Sequence, residues 1–323
     1  MKNIVKLRYW WFALSLLVIV PGAISLGLYG LRLGIDFSGG ALWDVQFVER
    51  QQSELNTDAI SRIFNDTGFP DARVQISQSG TGATALPGAL VRTKRLSGSE
   101  PEAQQRAVLD ALQKQYGQVR LASLQSVGET VSAESNRSAI IAVIGACVAI
   151  LIYLTIAFRR APHPLRYGVC AIIAMLHDVA LVIGGASILG VVTGLEIDAL
   201  FLTALLTIIS FSVHDTIVVF DRIRENMIGR RSGESFDDIV NHSIVQTLPR
   251  SINTQLTTLF TLVALLLFGG SSVFHFVTIL LIGLLSGTYS SIFNAAQLLV
   301  VWEHREWERW FGRKGGEGEP ATA

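Results

Sequence analysis

Six apolar runs divide this chain: Trp11–Leu31, Ala139–Phe158, Leu165–Leu189, Ala199–Phe220, Ile252–Phe268 and Val273–Trp302. Each is close to the roughly 20 predominantly apolar residues that a helix needs to cross a bilayer. The pattern changes between the first two runs. Trp43, Val45 and Phe47 alternate with Asp44 and Gln46, which predicts a half-buried strand. Ser53–Phe64 places Leu55, Ala59 and Ile63 on one helical face, and short strands follow at Arg73–Ile76 and Leu90–Lys94, separated by a flexible loop over Ser79–Gly88. Ser99 and Glu102 make a capping box before Val108, Leu109, Leu112 and Tyr116, Gly117 stops that helix, and Val119–Val127 closes the series. The order βαββαβ predicts a ferredoxin-like α+β domain, and a segment of about 100 residues can bury its own core.

Composition agrees with a polytopic helical membrane protein: half of the 323 residues are hydrophobic and 16% are charged, with mean hydropathy +0.43. The formal net charge is zero, so no basic bias points to nucleic acid. Cys147 and Cys170 lie in apolar runs and read as packing residues. The first run follows Lys2, Lys6 and Arg8; it exceeds a signal-peptide core, no Ala-x-Ala site follows, and it is expected to remain as an anchor. Among the short connections, Lys and Arg are confined to alternate ones. Arg159, Arg160 and Arg166 lie between runs two and three, Arg222, Arg224, Arg230, Arg231 and Arg250 between four and five, and Arg305, Arg309, Arg313 and Lys314 after six. Gly190–Asp198 and Gly269–Ser272 carry none. The positive-inside rule then places both termini in the cytoplasm and the α+β domain outside. The expected organisation is residues 1–31 as cytoplasmic N-terminus and first span, 32–137 as extracytoplasmic domain, 138–302 as five further spans and 303–323 as cytoplasmic tail, with Gly315–Ala323 disordered.

Asp215 is the residue that fits this pattern worst. It lies inside the run Ala199–Phe220, and a charged side chain at mid-bilayer depth costs roughly 2.5–3.5 kcal/mol on insertion scales. It must therefore face protein or water. Asp215 is about five residues, or roughly 8 Å, from the inner end of its run, and Arg250 opens the next span from that side, which makes Arg250 its candidate partner. Two readings stand: a structural ion pair, or a carboxylate that exchanges protons with Arg250 tuning it. A second His-Asp doublet, His177-Asp178, repeats His214-Asp215. Thr203, Thr207, Ser210 and His214 make a polar stripe on run four, Asn253, Thr257 and Thr261 on run five, Gly283, Gly287, Ser290, Asn294 and Gln297 on run six, and Ala171, Ala174, Asp178 and Gly185 on run three. Such stripes pack helices in lipid. Gly34–Gly40 (GIDFSGG) lacks the Gly-Lys-Ser/Thr ending of a phosphate loop and reads as a tight turn locking the outer domain to the bundle. Ser235 and Asp238 open an amphipathic stretch with Phe236, Ile239, Val240 and Ile244, expected as a short interfacial helix. No metal-ligand spacing, cofactor fingerprint or catalytic triad stands out, which predicts neither cofactor nor enzyme.

These residues together resemble the SecF side of the SecD/SecF protein-export family. The carrying motifs are GIDFSGG at Gly34–Gly40, including Asp36 and Gly39, LHDV at Leu176–Val179, DTIVVFDRIREN at Asp215–Asn226, including Asp221 and Arg222, and QTLPRS at Gln246–Ser251. The resemblance covers essentially the whole chain. It implies a six-span half of a resistance-nodulation-division (RND) type bundle, completed by SecD, in the bacterial cytoplasmic membrane. It further implies SecYEG, YajC and the translocating polypeptide as partners, and use of the proton-motive force to assist late translocation. The family's proton-linked carboxylate and arginine fall on Asp215 and Arg250, with His214 and Asp178 beside the same pathway. His214 departs from the asparagine often found at that place, which bears on the pH range of coupling. Pro249 is a second variation, tolerated at a first helical turn. A half-size RND-like exporter of lipid or drug and a passive translocon scaffold are the alternatives.

Overall fold

The computed structural model describes residues 3–79, 86–94, 101–159, 161, 163–230, 232–306 and 308. The serine of the expected capping box, most of the Ser79–Gly88 loop and the Gly315–Ala323 tail lie outside those residues. Six helices are long and apolar enough to cross a membrane, and a small antiparallel sheet stands apart from them. The chain is a polytopic helical protein with one α+β domain.

Helix α1 (Arg8–Tyr29) leads through the one-turn α2 (Ile35–Ser38) into β1 (Gly40–Phe47). Then follow α3 (Thr57–Asp66), β2 (Arg73–Ser79), β3 (Leu86–Thr93), α4 (Pro101–Tyr116) and β4 (Val119–Val127). The sheet order is β2-β3-β1-β4, all neighbours antiparallel. That is the βαββαβ arrangement read from the alternation. Ala41, Trp43, Val45 and Phe47 point one way from β1 and are fully buried with Ile60, Phe64, Val108 and Leu112 of the two helices. Trp43 meets Phe64 and Phe69 edge to face, with centroids 5.5 and 5.8 Å apart. Its indole N–H donates to Thr93 at 3.0 Å. Helix α3 starts later than the apolar spacing suggests, because Asn56 caps it by accepting from the Asp58 and Ala59 amides.

The remaining membrane helices are α5 (Glu129–Ala157), α6 (Pro164–Thr193), α7 (Ala199–Ile228), α8 (Phe236–Phe268) and α9 (Ser271–Ser290), which passes through a π-helical turn (Ser291–Ala295) into α10 (Ala296–Glu303). Three expectations need correction. Helix α5 begins at Glu129, so the polar residues before the second apolar run belong to a helix and not to the α+β domain. The short interfacial helix and span five are one continuous helix, which puts Pro249 in its interior, not in a first turn. No breaker other than Pro249 separates them, Ser235 caps the start by accepting from the Asp238 amide, and the Thr247 hydroxyl donates to the Ser243 and Ile244 carbonyls just before the proline. The sixth run is interrupted by its π turn. Helices α6 and α7, with the π turn and α10, supply most of the bundle core. Close approach there depends on glycine: a Cβ on Gly184 of α6 would lie 2.8 Å from Gly22 Cα of α1, and the Ser25 and Ser187 hydroxyls bond across the same crossing at 3.0 Å.

Candidate functional site: two buried carboxylates in the bundle

The centre of the bundle is polar. Asp178 of α6 is fully buried. Its Oδ2 accepts from Ser212 of α7 and Ser290 of α9, both at 2.6 Å. Its Oδ1 accepts from Ser286 at 2.6 Å and lies 3.0 Å from His177 Nδ1. The Ser212 carbonyl in turn accepts from Thr216 and Ser291, each at 3.0 Å, and those two hydroxyls are 2.9 Å apart. The His177 ring stacks on Tyr289, whose hydroxyl donates to the Trp11 carbonyl at 2.6 Å. Asn294 and Ser15 bond at 2.9 Å. A polar belt thus ties α1, α6, α7 and α9 at one level. Helix α9 can lie this close because a Cβ on Gly287 would be only 3.3 Å from Ser212, and one on Gly283 would overlap Ile208.

Asp215 stands one turn beyond Ser212 on α7 and is 3% exposed. Its Oδ2 accepts from Gln255 Nε2 of α8 at 2.5 Å. This corrects the sequence expectation. The direct partner is Gln255, while Arg250 is exposed and has no ion pair or hydrogen bond to Asp215 among the described residues. Arg250 and His214 remain near enough to act on Asp215 through space. The two carboxylates differ in how they are held. A proton arriving at Asp178 would disturb three hydroxyl donors and a histidine, whereas one arriving at Asp215 would disturb a single amide.

Most of the expected stripe residues on α7 and α8 point outward. On α7, Thr203, Ser210 and His214 are exposed and Thr207 is half-buried. On α8, Arg250, Asn253, Thr257 and Thr261 are all exposed. The threonines bond back to their own helices. The outward groups not satisfied in that way, such as His214, Arg250 and Asn253, are the ones costly to expose to lipid. On α9 and α10 the stripe does face inward, through Ser290, Asn294 and Gln297. Asp221 and Arg222 form local pairs, with Arg224 at 2.7 Å and Glu225 at 2.6 Å. At the far end of that motif Asn226 also reaches across, donating to Ser243 at 2.8 Å and Gln246 at 3.0 Å.

The glycine motif makes a joint. Gly34 N–H donates to the Ile197 carbonyl at 2.6 Å, and Ile197 N–H to the Arg32 carbonyl at 2.7 Å. Asp36 Oδ2 accepts from the Ala199 amide at 2.9 Å, so the motif's acid caps α7. Gly39 and Gly40 turn into β1 with φ of +71° and +116°. Arg92 of β3 completes the joint by donating to the Leu33 carbonyl at 2.6 Å and to Glu196 at 2.5 Å. Sequence reading missed Arg92, Ser212, Ser286 and Gln255. The signal for Ser212 and Gln255 was present: they lie three and forty residues from Asp215, on the faces of α7 and α8 opposite the noted stripes.

Residues 107–305 match the family model described as protein export membrane protein SecD/SecF, C-terminal. The chain is 50% identical over 97% of its length to the protein translocase subunit SecF of Thermobaculum terrenum, covering 98% of that protein. It is 46% identical over its whole length to the SecF subunit of Anaerolinea thermophila, again covering all of it. It is also 36% identical to the protein translocase subunit SecDF of Bacillus subtilis, over 93% of this chain but 38% of that one. Among solved structures, SecDF of Thermus thermophilus, described as a translocon-associated membrane protein, superposes with TM-score 0.79 and 32% identity. The chain covers 39% of it with 94% of its own length.

Proposed function

The chain belongs to the SecD/SecF family of protein-export membrane proteins, on its SecF side, and from that premise we propose that it uses the proton-motive force to assist late translocation through SecYEG. Its transport partner is SecD: the fused relative is much longer, and this chain covers only 39% of it. The outward polar faces of α7 and α8 are the surface that SecD covers. YajC and the emerging polypeptide are further partners. Both termini are cytoplasmic and the α+β domain is extracytoplasmic, on the argument of the loop charges.

Asp215 is the proton-carrying group. The observation that carries this reading is its placement: a buried carboxylate at the middle of α7, held by one amide, beside a polar surface awaiting a partner. Arg250 enters from that surface, so SecD binding brings it against the carboxylate. Protonation loosens the Gln255 contact and repacks α7 against α8. One charge crossing 100 mV supplies about 2.3 kcal/mol, and a bias of that size shifts a two-state population severalfold or more.

Proton flux into vesicles containing the complex with SecD, wild type against Asp215→Asn, tests the assignment. Loss of flux in the Asn form is expected, together with loss of export support. An Asn form that supports export fully would leave a passive scaffold as the reading.

A further inference from the structure

Span six changes its pitch where no helix breaker demands it. The π turn Ser291–Ala295 contains neither glycine nor proline, and its bordering residues, Ser290 and Ala296, keep ordinary right-handed helical angles. A π turn closes its bonds from i to i+5, which fits about one residue more into the same length than an α-helix holds. Such turns are rare and gather at functional sites.

Both sides of the turn are fastened. On one side Ser286 and Ser290 hold Asp178 of α6, each at 2.6 Å. Within the turn, Ser291 bonds the Ser212 carbonyl of α7 at 3.0 Å, Asn294 bonds Ser15 of α1 at 2.9 Å, and Phe293 packs on Trp11. On the far side Glu303 pairs with Arg166 at 2.7 Å, and Glu306 accepts from Arg8 and Tyr9. The extra residue therefore has no way out. A continuous α-helix would push α10 about 1.5 Å along its axis and turn it by about 100°, which would break the pairs at Glu303 and Glu306. The extra residue can only travel along the helix. Each step trades one i→i+5 bond for one i→i+4 bond, so no backbone group loses its partner, as a helix in lipid requires.

Gln297 gives the direction of travel. It is fully buried, and neither atom of its amide has a hydrogen-bond partner among the described residues, which is a costly arrangement. Gln297 follows Ser290 by seven residues, and in an unbroken α-helix that spacing returns to the same face within about 20°. Gly283, Gly287, Ser290, Asn294 and Gln297 thus spell one α-spaced stripe. The π turn lies inside the stripe and sets Gln297 about one residue, or about 100°, off the line of Ser290. Ser290 finds its acceptor and Gln297 does not.

We infer that the π turn is a travelling bulge, which steps from Ser291–Ala295 into the segment Ala296–Val300 and gives span six two registers. In the second register Gln297 rejoins the face of Ser290. The step rotates α10 residues by about 100° while the Asp178 centre and the Glu303 and Glu306 pairs stay closed. It is a conformational device of this chain's own and does not depend on the proton reading of Asp215.

Hydrogen exchange of the full chain with SecD in lipid nanodiscs, resolved to single residues by mass spectrometry, tests it. The Ala296–Val300 amides are expected to exchange about tenfold faster than those of Ala204–Ile208, an equally helical stretch of α7. Fast exchange confined to Ser291–Ala295 would mean a fixed turn and overturns the inference. Gln297→Leu separates travel from fraying of the helix end. It removes the unpartnered amide from the resting register, so exchange at Ala296–Val300 should slow about tenfold, or about 1.4 kcal/mol. An unchanged or faster rate in Gln297→Leu overturns the travelling bulge. Deletion of Ile292 takes away the extra residue, and Ala296–Val300 should then exchange as slowly as α7; fast exchange there in the deletion variant also counts against travel.

Discussion

Replacing Arg92 by Ala removes the clamp between the α+β domain and the bundle. Arg92 makes two bonds, to the Leu33 carbonyl at 2.6 Å and to Glu196 at 2.5 Å. The arginine side chain is 18% exposed and the glutamate 35%. A hydrogen bond to a charged group contributes about 1.5–3 kcal/mol, and partial solvent exposure at Glu196 moves its share towards the roughly 1 kcal/mol of surface pairs. The joint should weaken by about 3 kcal/mol, roughly a hundredfold in its opening equilibrium at about 1.4 kcal/mol per tenfold. Hydrogen exchange of the Gly34 and Ile197 amides, which close the joint, reads that opening directly. Burial raises Glu196 above its ordinary 4.5, opposed by Arg92 and Arg32. Without Arg92 the rise is larger. A raised acid favours the closed joint when protonated, so the Arg92→Ala joint is firmest below about pH 4.5 and loosens as pH rises through the raised value. Adding Glu196→Gln to Arg92→Ala should restore part of the protection, because it removes a half-buried charge left without its cation. Unchanged exchange at Gly34 and Ile197 in Arg92→Ala would refute the clamp, and so would a double variant that exchanges faster than the single one.

Asp178→Asn leaves at least one serine hydroxyl without an acceptor and removes the charge they share; it should cost about 3 kcal/mol, seen as a lower unfolding midpoint in detergent, and an unchanged midpoint would mean the hydroxyls do not converge there. Gly283→Val overpacks the contact with Ile208 by about 1–3 kcal/mol, whereas Gly145→Val, with open space around it, should leave the midpoint where it was. Burial raises Glu306, but its bonds from Arg8 and Tyr9 outweigh that and hold it below its ordinary 4.5; the clasp between the two ends of the chain is therefore present above that value and lost as pH falls through the lowered one, measured as exchange of the Glu306 amide bonded to Val301.

The parts of this architecture that depend on periodicity were legible. Alternation along Gly40–Phe47 gave the buried face of the sheet, and long apolar runs gave the spans, because each signal is a repeat along one element. The site was only half legible for the same reason. Asp215 shows itself as an acid in an apolar run, but its partner lies on another helix, and proximity in sequence to the start of run five favoured Arg250 over Gln255. A polar stripe states that one face differs from the rest, not whether that face turns in or out. On α9 it turns in, since Gly283 and Gly287 admit the backbone of α7. On α7 and α8 it turns out, since the inward faces already hold Ser212, Asp215, Ser251 and Gln255. Helix α8 escaped notice as one piece because proline usually ends a helix in water, while packed neighbours and threonine hydroxyls support it in a membrane.

Helix α7 brings these observations into one mechanical argument. Its first amides are held by Asp36 of the glycine motif and by Asp198, so the α+β domain is fastened to its end. Asp215 lies 16 residues beyond Ala199, about 24 Å at 1.5 Å per residue. Ser212, between them, is fastened to Asp178 and through it to α9. A helix pinned near its middle and loaded at one end acts as a lever. If the Asp215–Gln255 bond lets go as proposed, the segment beyond Ser212 would move against α8, and the tilt about the Asp178 anchor would appear at the capped end. On the proposed function, Asp178 and Asp215 would have opposite duties one turn apart: a fixed acid holding the pivot through three serine hydroxyls, and a released one held by a single amide. The Arg92–Glu196 clamp would then decide whether such a tilt reaches the sheet as motion of the whole domain or is lost in its linker.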